Sequence, residues 1–214
     1  MRTVLLITLF AAIPALAQES ETAHRVPFAA EGNTLALTVA NIAEEHGATA
    51  LSVALAEAPD WLAVTPAEVV LDAVAPGAEA RAAFSFDVLP HAPVGTPAAL
   101  RFTVTTVDSQ TWTHTVRLEV AAPAAFRLGG VYPNPFRGQT TFAYELPRPS
   151  EVSLRVYDVL GRRVGEVVDE RQVAGRHEAD WAPPRLASGV YLWRLTVEDA
   201  AGVVERQGKV LLIR

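Results

Sequence analysis

The 214-residue chain contains no cysteine. Disulfides, thiolate zinc sites, iron–sulfur clusters and cysteine nucleophiles are therefore excluded. Lysine is nearly as scarce, with Lys209 the single one against 17 arginines. Positive charge is thin throughout: residues 18–125 carry 4 Arg against 13 Asp/Glu, and residues 126–214 carry 13 Arg/Lys against 11 Asp/Glu. Neither half has the dense basic surface that nucleic-acid binding needs, so nucleic acid is not an expected partner. Catalytic patterns are missing too. His24, His46, His91, His114 and His177 are scattered, with no i, i+4 pair and no carboxylate at metal-site spacing. No G-x-S-x-G elbow occurs. The segment Gly202–Lys209, "GVVERQGK", has five residues between its glycines where a phosphate loop has four, and Val210 stands where that loop needs Ser or Thr. It reads instead as a hairpin. Acidic "NIAEEH" (41–46) and "DERQ" (169–172) read as solvated turns, because neither has the alternating oxygen spacing of a calcium loop. The expectation is a protein with no catalytic residues, no bound metal and no cofactor.

The one long apolar run lies at the start. In "MRTVLLITLFAAIPALAQES", Arg2 precedes an apolar stretch from Val4 to Ile13, Pro14 interrupts it, and Ala15 and Ala17 supply small residues at −3 and −1. This is the pattern of a secretory signal peptide over residues 1–17, cleaved after Ala17. A membrane-spanning helix needs about 20 apolar residues, and Gln18-Glu19-Ser20 arrives too soon. After cleavage no transmembrane segment remains. In an exported chain, zero cysteines means that each domain is held by its apolar core rather than by disulfides.

Beyond the leader, polar and apolar residues alternate with period 2, the mark of strands with one buried face. Leu35, Leu37 and Val39; Leu51, Val53 and Leu55; Phe84, Phe86 and Val88; and Leu100, Phe102 and Val104 form such runs. In "TWTHTVRLEV", Trp112, His114, Val116, Leu118 and Val120 share one face. Turn signals "AEAPD", "VAPGAE" and "LPHAPVGTP" separate the runs. "AAPAA" (121–125) reads as a linker, after which the alternation restarts with Phe142, Tyr144 and Leu146. About seven short runs follow in under 90 residues, ending at "KVLLIR". The expected fold is all-β: two immunoglobulin-like β-sandwiches in tandem, over residues 24–122 and 126–214. "YDVLGRRV" reads as a tight connection in which Gly161 takes positive φ.

The second half carries a resemblance. "VYPNPF" (131–136), "TTFAYELP" (140–147), "VSLRVYDVLGRRV" (152–164), "AGRHEADW" (174–181), "LASGVYLWRL" (186–195) and the terminal "KVLLIR" occur in one order. Together they resemble the C-terminal sorting domain, type A, of the type IX secretion system of Bacteroidetes-like bacteria. The resemblance implies export through a signal peptide and then across the outer membrane, with the folded domain as the address. It also implies removal of that domain by a sortase-like protease, with a cut expected between Ala121 and Arg127, and either attachment to surface lipopolysaccharide or release. The implied localisation is the cell surface or extracellular space, and the implied partners are the type IX machinery and that protease. The recognition residues it implies are Pro133, Asn134, Pro135, Gly189, Tyr191 and Lys209. The immunoglobulin-like module of the flagellar hook-capping protein resembles the same blocks and is the alternative.

Each of those residues also has a plainer role. Pro133-Asn134-Pro135 shapes a turn, because proline fixes φ and asparagine bonds locally; Gly189 and Tyr191 fit a turn and a core position. The first domain resembles immunoglobulin-like accessory modules of the NEW3 and BACON kind through "APDWLAVTP" (58–66), "APG" (75–77) and "PVGTPAALRFTV" (93–104). That implies an adhesion or spacer cargo. The alternatives are a polysaccharide-binding module using Trp61 or Trp112, and the remnant of a longer secreted hydrolase.

Overall fold

The computed structural model describes residues 4–11, 23–41, 50–107, 109–183 and 185–214, the first of these segments by its backbone alone. It is all-β, and it divides into two units, Met1–Ala121 and Ala122–Arg214. The proposed cleavage point at Ala17 and most of the "NIAEEH" segment lie outside the described residues.

In the first unit, β1 (Val4–Ala11) runs parallel to β3 (Asn33–Asn41), with Val4 opposite Thr34 and Ala11 opposite Asn41. The short β2 (His24–Val26) pairs with the last strand of the unit. The others are β4 (Leu51–Glu57), β5 (Leu62–Thr65), β6 (Glu68–Leu71), β7 (Glu79–Val88), β8 (Pro97–Thr106) and β9 (Thr111–Val120). They form two sheets, ordered β1-β3-β7-β5 and β2-β9-β8-β4-β6. The alternating apolar residues of the sequence point between them. Leu35, Phe84, Phe102, Val104 and Val116 are all at or below 1% exposure. Phe84 and Phe102, one from each sheet, meet at 5.0 Å between ring centroids. Burying each such side chain contributes about 1.5–3 kcal/mol, and with no disulfide that burial is what holds the unit. Polar groups taken inside are matched: Asn33 Nδ2 donates to Ala30 O and Phe86 O, and Asn41 Nδ2 donates to Val74 O.

The second unit holds β10 (Arg127–Tyr132), β11 (Thr140–Leu146), β12 (Ser150–Tyr157), β13 (Arg163–Gln172), β14 (Gly175–Trp181), β15 (Gly189–Asp199) and β16 (Gly202–Leu212). Its sheets are ordered β10-β11-β14 and β13-β12-β15-β16. Aromatic side chains knit the layers: Phe142 meets Trp193 edge-on at 5.7 Å, and Trp181 meets Tyr191 at 5.8 Å. Both tryptophans are accommodated by glycines on the outermost strands. A Cβ on Gly208 would lie 2.5 Å from Trp193 Cζ2, and one on Gly165 would lie 2.8 Å from Trp181 Nε1.

Two local expectations need correction. "GVVERQGK" is not a hairpin: residues 202–209 are the first eight of β16, and the turn sits before them between Asp199 and Gly202, where Gly202 has φ +132. "DERQ" is the exposed end of β13 rather than a turn. In both segments polar residues on an outer strand look like a loop in the sequence, because neither face is fully buried.

Candidate sorting surface

The antiparallel register places the separate sequence blocks at one end of the second unit. β12 ends at Tyr157, which lies opposite Leu192; Leu192 lies opposite Lys209, Tyr191 opposite Val210 and Gly189 opposite Leu212. The turn after Tyr157 is therefore at the same end as the start of β15 and the finish of β16. That turn is tight and internally bonded. Gly161 takes φ +79, Gly161 N donates to Asp158 O, and Asp158 Oδ1 accepts from the backbone N–H groups of Leu160 (2.9 Å) and Arg162 (3.0 Å). Hydrogen bonding from the Arg162 backbone, chiefly, holds the Asp158 carboxyl below the usual carboxylate range.

The Pro-Asn-Pro segment joins this end from the other sheet. Both of its X–Pro bonds, Tyr132–Pro133 and Asn134–Pro135, are cis. The buried Thr140 hydroxyl donates to Pro133 O at 2.8 Å, which pins the turn to the start of β11. Asn134 then acts as a strand residue would. Its Nδ2 donates to Lys209 O at 3.2 Å, and its Oδ1 accepts from Leu211 N at 3.0 Å. Phe136 continues the pairing, since its N–H donates to Leu211 O and its carbonyl accepts from Ile213 N, both at 2.9 Å. The Phe136 ring is 1% exposed and packs on Trp181 at 5.5 Å. The loop thus covers the free edge of the chain from Lys209 to Ile213, first by two side-chain hydrogen bonds of Asn134 and then by two main-chain hydrogen bonds of Phe136, and so protects the edge of the sheet.

Of the sequence-derived residues, Pro133, Asn134, Pro135, Gly189, Tyr191 and Lys209 are brought to this end. Asn134 and Lys209 touch directly. Tyr191 is 8% exposed and its hydroxyl donates to Ala187 O at 2.8 Å, which fixes the approach to β15 from inside the core. Gly189 is the first residue of β15 and has no positive φ; a Cβ there would meet open space. The two tryptophans of the first unit lie elsewhere. Trp61 is 4% exposed in the core and Trp112 packs half-buried against it.

Sequence reasoning overlooked an apolar patch around the same residues. Val159 and Leu160 in the turn are 70% and 75% exposed, and Val190, Leu192 and Leu211 are 43%, 45% and 36% exposed. Leu192 is paired with Lys209 and Val190 with Leu211, so these side chains share the outer face of the sheet. The signal was present: "GVYLW" and "VLLI" are apolar at consecutive positions, so both faces of each strand are apolar, whereas a strand with one solvated face alternates. Beside the patch, Tyr157, Leu192, Arg194 and Lys209 line an open groove of about 700 Å³. Arg194 lies 6.0 Å from the centre of the Tyr157 ring.

Residues 130–206 match the family described as secretion system C-terminal sorting domain. The C-terminal unit is a sorting domain of that family. Such a sorting domain implies export to the cell surface or extracellular space and contact with the secretion machinery. No curated protein matches the chain. Among solved structures, the chain is similar to dimeric latent PorU from Porphyromonas gingivalis at 16% identity and TM-score 0.36, covering 94% of this chain and 19% of that one. It is also similar to PorZ, described as a surface component of the type-IX secretion system of the same organism, at 20% identity and TM-score 0.30, covering 53% of this chain and 15% of that one. CopC from Methylosinus trichosporium OB3b is similar at 16% identity and TM-score 0.31, covering 41% of this chain and 92% of that one.

Proposed function

We propose that this is a secreted or cell-surface protein carried across the outer membrane by the type IX secretion system, with the sorting domain as its address and the first sandwich as non-enzymatic cargo for adhesion or spacing. The observation that carries the reading is the meeting of Asn134 with Lys209 and Leu211 beside the exposed Val190, Leu192 and Leu211. Residues far apart in the chain are held in one rigid arrangement next to apolar side chains that the fold itself does not use. A surface read by shape needs both: fixed backbone geometry and uncovered apolar area that becomes buried on recognition. Entry to the periplasm is assigned to the leader over residues 1–17. The segment from Ala121 to Arg127 joins the two units and is where a processing protease would separate address from cargo.

Sugar binding is the weaker reading, because a sugar stacks on an exposed ring face, whereas Trp61 is buried and Trp112 is half-buried against the core.

Fractionation of a strain lacking the type IX machinery tests the proposal. The protein should accumulate in the periplasm there and at the surface or in the medium of the parent strain. Equal surface display in both strains would refute the assignment. Mass spectrometry of the exported form reads the processing step: a C-terminus between Ala121 and Arg127 is expected, and an intact Arg214 would exclude cleavage.

A further inference from the structure

The outer edges of the first sandwich are not protected alike. β5 has four residues and ends at Thr65, immediately before Pro66; β2 has three and carries Arg25; β6 has four and opens on Glu68. Shortness, charge and proline are the usual means by which an edge avoids pairing with another chain. β3 has none of them. "NTLALTVAN" runs for nine residues without a charge, a proline or a glycine. Its neighbours are β7 on one side and β1 on the other. β1 consists of leader residues, and it lies in register with eight of the nine residues of β3. The edge accepts a strand along nearly its whole length, and the strand it accepts belongs to a segment assigned for removal.

β3 is also close to a mirror image of itself about Leu37. Read outward from that residue, Ala36 is matched by Thr38, Leu35 by Val39, Thr34 by Ala40 and Asn33 by Asn41. Side chains directly opposite each other in an antiparallel pair share a face. Two copies of β3 paired about Leu37 would therefore set Leu35 against Val39 and Leu37 against Leu37 on the core side. Small side chains would face each other on the outer side, and the two asparagines would meet at the ends. No like charges would be brought together. Both asparagine side chains are held within their own unit, Asn33 on Ala30 O and Phe86 O and Asn41 on Val74 O, which fixes the two ends of the strand.

We propose that, once the leader is gone, β3 pairs antiparallel with β3 of a second copy about a two-fold axis at Leu37. The three remaining strands of each sheet, β3, β7 and β5, would then run into one continuous six-stranded sheet. In the precursor the leader strand occupies the same edge and keeps the chain monomeric. The inference rests on the leader assignment made with the proposed function, and it adds the partner: the protein itself.

Sedimentation of chains 18–214 and 1–214 tests it. The shorter chain should dimerise and the longer should not. Ala36→Lys, which places a lysine beside the two-fold axis without entering the core, should weaken dimerisation of the shorter chain by about tenfold or more at an unchanged melting temperature. Because the protein has no cysteine, register can be read directly. Mixing Ala36→Cys and Thr38→Cys forms of chain 18–214 under oxidising conditions should yield a disulfide-linked pair, with far less from either form alone, because a disulfide needs Cβ atoms about 4 Å apart and the diagonal 36–36 and 38–38 pairs would lie about 7–8 Å apart. A monomer at about 100 µM, well above the dissociation constant of a specific pair, would overturn the proposal. So would a dimer that is indifferent to Ala36→Lys and does not link residue 36 to residue 38. The N-terminal residue of the exported protein separates the two claims: a retained Val4–Ala11 segment would refute leader removal and dimerisation in the cell, whatever chain 18–214 does in solution.

Discussion

In the N-terminal unit, among the described residues, the large apolar side chains left in solvent are Val70 and Val107, and the tryptophans are used for packing. In the C-terminal unit Val159, Leu160, Val190, Leu192 and Leu211 stand in solvent around one end and Val173 and Val203 at the other, while Phe142, Trp181, Trp193 and Tyr191 fill the core. The architecture is the same, two sheets closed over an aromatic centre without a disulfide, but the apolar residues are distributed differently. On the proposed reading, function in the second unit resides in side chains at that end which the core does not bury. Its core could be kept while the end around Lys209 was changed, and the address would be lost without the domain.

That contrast can be broken most forcefully through the core. Phe142→Ala removes the edge-on partner of Trp193 and should cost about 3–5 kcal/mol. Urea unfolding should then show an early transition for the second unit and an unshifted one for the first. Gly208→Ala is the milder core test. Its Cβ would fall 2.5 Å from the Trp193 ring, so the indole must move, at about 1–3 kcal/mol. The same substitution at Gly189, where a Cβ meets nothing within 4 Å, should leave the melting temperature almost unchanged.

Smaller in energy and larger in consequence, Asn134→Ala removes two hydrogen bonds that tie the Pro-Asn-Pro loop to β16, about 1–2 kcal/mol together. Surface export should fall sharply while circular dichroism shows a folded domain. Export at the parental level would detach this contact from sorting. At physiological pH no effect is expected from the last test, which is a dependence on alkaline pH. Burial, chiefly, raises the Tyr144 hydroxyl to about 12, from 10 in the unfolded chain. Stability from this group is therefore fully present below pH 10 and is lost as pH rises from 10 towards 12. Thermal melts of an isolated second unit should show that alkaline loss, and Tyr144→Phe should flatten it.

Much of the architecture was legible because a two-layer sandwich repeats one rule: alternate residues face the core. Leu35, Phe84, Phe102, Phe142 and Leu195 could be placed inside by counting. The rule fails where a strand is solvated on both faces, which is why "GVVERQGK" and "DERQ" read as turns although they are strand. The motif residues of the candidate sorting surface could be named from the sequence, but their contacts could not. Asn134 reaches Lys209 and Leu211 across 75 and 77 positions, and no local periodicity carries that pairing. The apolar patch was written in the unbroken runs "GVYLW" and "VLLI", where burial in the core was the simpler inference for every residue.

The most direct test of the central claim is sufficiency. A periplasmic reporter carrying a cleavable leader should be fused upstream of residues 122–214 and followed by surface protease accessibility in a type IX-competent strain. The reporter should reach the surface with the parental domain and remain in the periplasm when the domain carries Asn134→Ala. A reporter retained in the periplasm by the intact domain, or displayed equally by both, would contradict the account.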